Sequence, residues 1–220
     1  DIRLYYIEYF DYFMNQKNAL GLNSCFMDLD DPLELFKKWM NEAEKKEIND
    51  PNAFSLATSS DSNEPSVRMI LLKGINSKGF IFYTNLNSSK NNDLRKNPKA
   101  SMCFHWKSIQ RQIRISGSVG QINQDEADSY FNSRSYESKI GALASDQSKV
   151  IKSRAELLNK IENLKKKYKN ETNIPRPKHW SGLCLSPNSY EFWLGEKNRI
   201  HERLRYTRVS KNWKKDILYP

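Results

Sequence analysis

Cysteine and histidine are scarce in this sequence, and neither forms a recognisable motif. The three cysteines, Cys25, Cys103 and Cys184, include no Cys-x-x-Cys pair, and the three histidines form neither His-Glu-x-x-His nor His-x-His. This spacing argues against a disulfide framework and against a zinc site. The thiols are interpreted as buried or inert groups of a protein from a reducing compartment, and a cytoplasmic location is expected.

Long apolar runs and the glycine motifs of nucleotide enzymes are also missing. No run of about 18 apolar residues occurs, which argues against a membrane-spanning helix. The eight glycines do not form GxxxxGK[S/T], GxSxG, or GxGxxG after a strand, so P-loop, α/β-hydrolase and Rossmann enzymes lose support. Any bound anion must then be held by side chains and strand-end amides. The chain begins at Asp1 without Met, which leaves an organellar targeting segment open.

Positive charge and aromatic residues are abundant. The 220 residues carry a formal net charge of +10, and Phe, Trp and Tyr make up 12% of them. The aromatic content favours a packed globular protein. The charge points to an anionic partner, which could be nucleic acid, a phosphorylated small molecule or a membrane surface. The length suits one large domain or two small ones.

Apolar periodicity predicts one helix followed by a series of strands. The helix begins at Asp31-Pro32, and its buried face would consist of Leu33, Phe36, Met40 and Ala43. Five β-rich segments follow, with hardly any room for helices between most of them. They cover residues 53–60, 66–75, 79–86, 99–107 and 111–122. This pattern indicates an antiparallel barrel or sandwich and not a βαβ sheet.

Three more helices and two or three final strands are predicted after that. A short polar helix covers residues 89–97, stopped by Pro98, and another covers about Gln124–Ser133. A longer helix runs from about Ser148 to Lys169, and its Lys-rich end is interpreted as a solvated surface. Its apolar stripe is Ile151, Leu157, Leu158, Ile161 and Leu164. Residues 1–29 are interpreted as an arm lying over a single domain of residues 30–220.

The segment EFWLGEKNRIHERLRY, residues 191–206, predicts a row of cations. As an extended strand, it would place Arg199, His201, Arg203 and Arg205 on one side and Ile200, Leu204 and Tyr206 on the other. Like charges on one strand face repel each other, so an anion is expected opposite them. Solvation or pairing with carboxylates on a neighbouring strand would also explain the pattern.

Two segments near the middle of the chain suit anion binding. In SVRMILLKG, Arg68 and Lys73 flank an apolar run, and a cation there needs a partner. Because an odd number of positions separates them, a regular strand would point their side chains to opposite faces, unless Lys73 lies beyond the end of the strand. YTNLNSSK then brings hydroxyls and a lysine to a strand-to-helix junction, which suits a phosphate, although Ser-rich helix caps are common. Its candidates are Tyr83, Thr84, Ser88 and Lys90.

A third polar group follows later in the chain. Gln112 and Arg114 share one face of the strand RQIRI, opposite Ile113 and Ile115. Between residues 130 and 148 the candidates are Tyr130, Arg134, Ser138, Gln147 and Ser148. These residues could hold one phosphate through several charge-assisted bonds, or they could form a capped helix end and a turn.

Six segments in order resemble the pyridoxamine 5′-phosphate oxidase family over most of the chain, from about Asp31 to the terminal ILYP. They are SVRMILLKG, GFIFYTN, RQIRISG, YFNSR with SKIGALASDQS, HWSGL, and EFWLGEKNRIHER. The resemblance implies a mainly β (α+β) fold, an antiparallel, Greek-key-like split β-barrel with flanking helices. It also implies a homodimer with FMN at the subunit interface. The implied reaction, part of vitamin B6 salvage, oxidises pyridoxamine 5′-phosphate and pyridoxine 5′-phosphate to pyridoxal 5′-phosphate and reduces O₂ to H₂O₂.

The resemblance also assigns roles to individual residues. Arg199 and His201 are implied to be catalytic, beside the substrate ring. The FMN-binding set is Arg68, Met69, Ile70, Leu71, Leu72, Lys73, Tyr83, Thr84, Ser88, Lys90, Gln112, Gln147, Ser148, Trp193 and Arg203. The substrate phosphate is assigned to Lys73, Tyr130, Arg134 and Ser138. Arg3 and Tyr6 match an N-terminal Arg-x-x-Tyr that closes over the substrate in relatives.

In the mechanism that follows from these roles, a hydride passes from the substrate carbon to flavin N5. Arg203 would stabilise the negative charge near flavin N1 and C2=O, Arg199 would position the substrate, and His201 would orient or help deprotonate it. Alternate residues on a strand are about 6.6–7 Å apart, so the row from Arg199 to Arg203 would span roughly 13 Å.

The chain departs from the family pattern at three positions. Ser89 replaces a phosphate-binding Arg, which predicts looser FMN binding. Arg134 is followed by Ser-Tyr-Glu in place of Pro-Arg-Gly, and Glu202 replaces an Asp. Three alternatives stay open: a split-barrel flavoprotein with another substrate, a cofactor-binding protein with little turnover, and a basic barrel that binds nucleic acid. The oxidase hypothesis itself requires neither nucleic acid nor membrane as a partner.

Overall fold

The computed structural model describes residues 17–169, 171 and 173–220. They form two compact units, which are considered separately. One unit contains the described part of Asp1–Phe54 together with Met102–Ser116 and Pro187–Pro220, and the other contains Ser55–Ser101 and Gly117–Ser186. The predictions for Arg3, Tyr6 and the first part of the arm lie outside the described residues. The division into an arm and a domain of residues 30–220 stays a prediction.

Strands dominate the described chain. They are β1 (Ala53–Ser59), β2 (Pro65–Leu71), β3 (Gly74–Asn76), β4 (Gly79–Asn85), β5 (Lys99–Trp106), β6 (Arg111–Gln121), β7 (Trp180–Leu194), β8 (Glu202–Val209) and β9 (Asn212–Ile217). Their hydrogen-bonded order is β2-β1-β5-β6-β7-β4-β3, and β8 pairs with β7 and β9. The ladders β3–β4, β4–β7, β7–β8 and β8–β9 are antiparallel. The predicted antiparallel, mainly β architecture is therefore confirmed.

Five α-helices accompany these strands in the described part of the chain. They are α1 (Pro32–Lys46), α2 (Ser89–Lys96), α3 (Gln124–Ser133), α4 (Tyr136–Ala144) and α5 (Arg154–Lys167). None of them has both the length and the apolar character needed to span a bilayer.

Helix α1 begins where the sequence predicts. The side chain of Asp31 accepts a hydrogen bond from the Leu33 amide at 2.9 Å, and Pro32 needs no such partner because it has no N–H. The buried face consists of Pro32, Leu35, Phe36, Trp39, Met40 and Ala43. The predicted face is thus largely correct, but Leu33 is only half-buried, and Leu35 and Trp39 were not predicted.

Four of the five predicted strand segments match β1, β4, β5 and β6 within two residues. The fifth, residues 66–75, is divided between β2 and β3. At the division, Leu72 is buried and the Lys73 amide donates to the carbonyl of Ile81 at 2.9 Å. Lys73 therefore lies beyond the end of β2, which was one of the two alternatives for it.

The helices after β6 differ more from the prediction. Helix α3 has the predicted bounds, whereas α5 begins only at Arg154 because the Ser153 side chain caps it, accepting from the Glu156 amide at 3.3 Å. Ile151 lies outside that helix, and no residue of α5 is fully buried. Helix α4 was not predicted, and Ser135 caps it by accepting from the amide of Ser138.

The prediction of a continuous strand from Arg199 to Arg205 is wrong. Strand β8 begins only at Glu202, and Asn198 and Arg199 have φ values of 57° and 62°. These left-handed conformations turn the chain and cannot belong to an extended strand. Within β8, Leu204 and Tyr206 are fully buried while Arg203 and Arg205 share the other face, as predicted. The expected row of roughly 13 Å therefore does not exist as a strand face.

Candidate functional site

Two clefts lie in the unit that contains Ser55–Ser101 and Gly117–Ser186. Cleft A has a volume of about 540 Å³ and cleft B about 390 Å³. Five residues line both clefts, so the two adjoin: Met69, Ile70, Tyr83, Arg134 and Trp180. Strands β2 and β4 supply much of the wall, with consecutive residues 68–71 from β2 and 83–85 from β4.

Cleft A contains most of the predicted FMN residues of this unit. They are Arg68, Met69, Ile70, Tyr83, Thr84, Lys90, Gln147 and Ser148. Leu71 and Lys73 instead line cleft B. Leu72 and Ser88 are buried and line neither cleft. The sequence motifs therefore meet at one place, although they come from distant parts of the chain.

Lys90 is the buried cation of cleft A. Its Nζ donates to Thr84 Oγ1 at 2.9 Å, to Ser88 Oγ at 3.0 Å and to Gln147 Oε1 at 2.7 Å. Burial, and then the nearby charge of Arg68, lowers the pKa of Lys90 to about 8. All three acceptors are neutral, so nothing in this group balances the ammonium charge.

A stack of aromatic rings forms the floor between the clefts. The Tyr83 ring lies 3.9 Å from that of Tyr130 and 5.1 Å from that of Trp180, with interplanar angles of 9° and 10°. Burial raises the pKa of Tyr83 to about 12, so its hydroxyl stays protonated. The stack presents a flat, rigid surface to a planar ligand.

Arg134 lies against this stack with one nitrogen unsatisfied. Its Cζ is 4.8 Å from the Trp180 ring and 5.7 Å from the Phe131 ring. Its Nη1 is buried and has no hydrogen-bond partner among the described residues. Burial also lowers the pKa of Arg134. A buried cationic donor without an acceptor is costly, and an anionic group in the clefts would remove that cost.

The other residues predicted to bind the substrate phosphate do not all line cleft B. Lys73 and Tyr130 line cleft B together with Arg134. Ser138 lines neither cleft, and its hydroxyl instead accepts a hydrogen bond from Ser135 Oγ at 2.9 Å at the start of α4.

The other predicted residues belong to the second unit. There Arg203 donates to Glu191 Oε1 through Nε at 3.1 Å and Nη2 at 2.7 Å, and to the carbonyl of Tyr219 through Nη1 at 2.9 Å. Glu191 also pairs with Arg114. Burial alone would raise the pKa of Glu191, but the hydrogen bonds from Arg114 and Arg203 bring it below its usual value.

The anions opposite the predicted cation row are thus carboxylates of neighbouring strands. Glu191 on β7 pairs with Arg203, and Asp216 on β9 pairs with Arg205 at 3.0 Å. Arg199 is exposed on its turn, and no hydrogen bond or ion pair of its side chain occurs among the described residues. Cross-strand pairing, one of the explanations left open, accounts for half of the row.

His201 and Trp193 form the last group. Their rings are 4.7 Å apart, and the His201 Nδ1 accepts a hydrogen bond from the Glu196 amide at 3.1 Å. An accepting Nδ1 assigns the proton of the neutral ring to Nε2, which therefore acts as a donor. Trp193 lines a groove of about 370 Å³ together with Gln110 and Lys197, and Gln112 is half-buried on β6.

Two features of the clefts were missed by the sequence predictions. Trp180 lines both clefts and contacts Arg134, and the segment HWSGL was the only available signal. Asp93 is linked to Arg68 through hydroxyl groups, and no sequence spacing indicates that link. No cluster of potential metal ligands occurs in the part of the chain that the structure describes.

Comparison with known proteins gives matches over most of the chain. The family model described as pyridoxamine 5′-phosphate oxidase matches residues 40–168, and the one described as pyridoxine 5′-phosphate oxidase C-terminal dimerisation region matches residues 180–220. A protein of Pelagibacter ubique named pyridoxine/pyridoxamine 5′-phosphate oxidase is 61% identical over 208 residues, covering 94% of this chain and 100% of the relative. A Gluconobacter oxydans protein of the same name is 46% identical over 190 residues, covering 86% and 94%.

Two solved structures also align over most of the chain. PhzG from Burkholderia lata 383, crystallised with tetrahydrophenazine-1-carboxylic acid, aligns with a TM-score of 0.84 and 30% identity, covering 93% of this chain and 100% of that one. A pyridoxamine 5′-phosphate oxidase-related, FMN-binding protein from Nostoc punctiforme aligns with a TM-score of 0.69 and 15% identity, covering 88% and 100%, which supports the fold alone.

The fold and the paired clefts define a split β-barrel protein with flanking helices. The chain belongs to the pyridoxamine 5′-phosphate oxidase family. Family membership makes it an oxidoreductase, implies a flavin cofactor and, through residues 180–220, supports a homodimer.

Proposed function

We propose that this protein is an FMN-dependent oxidase that converts pyridoxamine 5′-phosphate and pyridoxine 5′-phosphate to pyridoxal 5′-phosphate, with O₂ reduced to H₂O₂. One observation carries the proposal. Two adjoining clefts share an aromatic floor and hold two poorly compensated cations, Lys90, which lines cleft A, and Arg134, which lines both. Two phosphorylated planar molecules in contact would satisfy both cations.

Cleft A suits the phosphorylated cofactor. Lys90 and Arg68 supply positive charge, and Gln147 and Ser148 supply polar groups beside them. Ser88 does not line the cleft but would hold Lys90 in place, because its hydroxyl accepts a hydrogen bond from Lys90 and donates one to the carbonyl of Asn85 at 2.7 Å. Bound FMN would supply the redox chemistry, taking two electrons and a proton from the substrate carbon and passing the electrons to O₂. The proposed reaction therefore requires no change of oxidation state in any amino-acid side chain.

Cleft B suits the substrate phosphate. Lys73, Tyr130 and Arg134 line it, and each charge-assisted hydrogen bond from such residues contributes about 1.5–3 kcal/mol. The Nη1 of Arg134 has the strongest need of an acceptor, because it is buried and unpaired. Ser138 belongs to this set by family resemblance and would have to exchange its present bond with Ser135 for the phosphate.

We further propose a homodimer with FMN at the subunit interface. Gln112, Trp193 and Arg203 would contact the cofactor, and Arg199 and His201 the substrate ring. The pairing of Arg203 with Glu191 and Tyr219 holds its guanidinium in one orientation. With its ring proton on Nε2, His201 would orient the substrate by donating a hydrogen bond to it. This tautomer does not favour removal of a proton from the substrate by Nε2. Arg3 and Tyr6 would close over the substrate, and the enzyme would act in the cytoplasm.

The first test is the visible spectrum of the purified protein and the release of peroxide. We expect a flavin absorption band, and peroxide from pyridoxamine 5′-phosphate but almost none from unphosphorylated pyridoxamine. Arg134→Met should raise the KM for the phosphorylated substrate at least about tenfold, because one charge-assisted bond is lost, while the flavin band persists. Colourless protein that takes up no added FMN would contradict the proposal.

A second candidate substrate class comes from the structural neighbour crystallised with a tetrahydrophenazine acid. The unpaired nitrogen of Arg134 is compatible with any anion, including a carboxylate. The two candidates differ in the phosphate: if pyridoxamine 5′-phosphate gives no peroxide while a reduced heteroaromatic carboxylic acid does, the substrate assignment is wrong and the flavin assignment stands. Binding of nucleic acid that weakens steeply with salt, without any flavin, would favour the basic-barrel alternative.

A further inference from the structure

A carboxylate lies behind the wall of cleft A and is connected to it by two hydroxyl groups. Asp93 Oδ2 accepts hydrogen bonds from Thr58 Oγ1 at 2.7 Å and from Ser66 Oγ at 3.3 Å. The same two hydroxyl oxygens accept from Arg68, Thr58 from Nη1 at 2.7 Å and Ser66 from Nη2 at 2.5 Å. Nη1 also donates to the carbonyl of Leu56 at 3.1 Å.

The direction of these bonds is determined by the charges at the two ends. A carboxylate only accepts and a guanidinium only donates, so each hydroxyl gives its proton to Asp93 and turns its lone pairs to Arg68. Arg68 and Asp93 form no direct ion pair within the described residues. Even so, the negative charge of Asp93 opposes the lowering of the Arg68 pKa by burial.

The network joins β1 to two elements that line cleft A, β2 and α2. Thr58 is on β1, Ser66 and Arg68 are on β2, and Asp93 is on α2, the helix that also carries Lys90. Thr58 is buried and Asp93 is half-buried, so water competes weakly for the Thr58 bonds, whereas Ser66 is exposed. The guanidinium keeps donors that these bonds do not use, and it lines the cleft.

We propose that Asp93 and Thr58 are positioning residues of the cofactor site, which fix the Arg68 guanidinium at the wall of cleft A and so strengthen FMN binding. The inference rests on the proposed function, because it assumes that cleft A holds FMN. Neither residue needs to touch the cofactor. Without the carboxylate, the two hydroxyls would lose the acceptor that turns their lone pairs to Arg68, and Arg68 would sample other rotamers at the expense of affinity.

The test measures FMN dissociation constants of the apoprotein by quenching of flavin fluorescence, so that turnover is not the readout. Thr58→Val keeps the shape of the side chain but removes the hydroxyl, and we expect about tenfold weaker binding. Thr58→Ser keeps the hydroxyl and should bind nearly as tightly as the unmodified protein. Ser59→Ala, a hydroxyl removal one residue along the same strand, is the matched control and should have no effect.

A double-mutant cycle distinguishes positioning from a general structural role. In an Arg68→Met background, Thr58→Val and Asp93→Asn should weaken FMN binding no further, because the group they position is gone. Thermal unfolding of each variant shows whether it is folded. If Asp93→Asn does not fold, the comparison of Thr58→Val with Thr58→Ser is enough to test the proposal.

The outcomes separate the two proposals. If the unmodified protein binds FMN but Thr58→Val has no effect, or has the same effect with and without Arg68, the positioning role is wrong while the proposed function stands. If the unmodified apoprotein does not bind FMN at all, the proposed function fails and this inference fails with it.

Discussion

Lys90 shows how a single residue can indicate its ligand. A buried ammonium group surrounded only by neutral oxygen atoms has lost part of its hydration without gaining a counter-charge. The sequence could suggest a lysine at a helix start near hydroxyl groups, but it could not show that the lysine is buried. One of its acceptors, Gln147, is far away in the chain, and burial without a counter-charge is the property that distinguishes a phosphate site from an ordinary capped helix.

The lowered pKa of Lys90 predicts that FMN binding is coupled to protonation. In the apoprotein the pKa is about 8, and an adjacent phosphate dianion would raise it. Above that pH the apoprotein has lost the proton and the complex keeps it, so binding takes up a proton and the affinity falls as the pH rises. Calorimetry at about pH 8.5 in buffers of different ionisation enthalpy measures this uptake.

Lys90→Arg is the matched control for this coupling. An arginine stays charged in both states, so its complex should form without the proton uptake seen in the unmodified protein. Equal uptake in the two proteins would assign the titrating group elsewhere.

At the scale of elements, local patterns determined most strands but not the interruptions between them. Alternation of apolar residues located β1, β4, β5 and β6 because one side of each strand is buried. It failed at residues 199–201, where left-handed residues break the strand although the alternation continues, and at residues 66–75. The missed start of α5 had a readable signal, the Ser153-x-x-Glu156 capping box. Cross-strand partners such as Glu191 with Arg203 depend on register, which one segment alone does not specify.

The β7–β8 ladder gives a prediction about stability. Glu191 is buried and pairs with two arginines, so Glu191→Gln should lower the free energy of unfolding by about 2 kcal/mol near neutral pH. Its folded-state pKa is lowered, so the stabilisation exists above the unfolded-state pKa and is lost as the pH falls through the folded-state value. Urea unfolding from pH 7 downward measures both effects.

Asp216→Asn is a useful comparison for that measurement. Asp216 also pairs with an arginine on β8, but both side chains of that pair are more exposed than those of Glu191 and Arg203. Its replacement should change the stability far less, because exposed ion pairs contribute little. Equal losses for the two variants would mean that burial of Glu191 has no special effect.

At the scale of the whole molecule, composition limited the function to an anionic partner and left its identity open. The net charge of +10 fits nucleic acid as well as small phosphates, and only the order of several short motifs distinguished them. Most of the cofactor residues assigned by those motifs in the cleft-bearing unit do line the clefts. Trp180 and the Asp93 network could not be predicted, because their importance lies in what they touch.

The proposed interface position of FMN predicts that assembly and cofactor retention are linked. Light scattering should give twice the 25.8 kDa chain mass for the flavin-loaded protein. Dilution should then release FMN together with dissociation of the dimer, because binding at an interface depends on protein concentration. Flavin fluorescence during dilution measures the release, and excess FMN should suppress it. A monomer that retains its flavin would contradict an interface site.

The contact between Arg203 and Tyr219 has an evolutionary consequence. Tyr219 offers its main-chain carbonyl to the guanidinium, while the residue as a whole is 93% exposed. Almost any amino acid could provide the same carbonyl, so identity at this position is free to drift. An insertion or deletion nearby would displace the oxygen atom and leave Arg203 without this acceptor, so selection is expected to tolerate substitutions here and to reject changes of register.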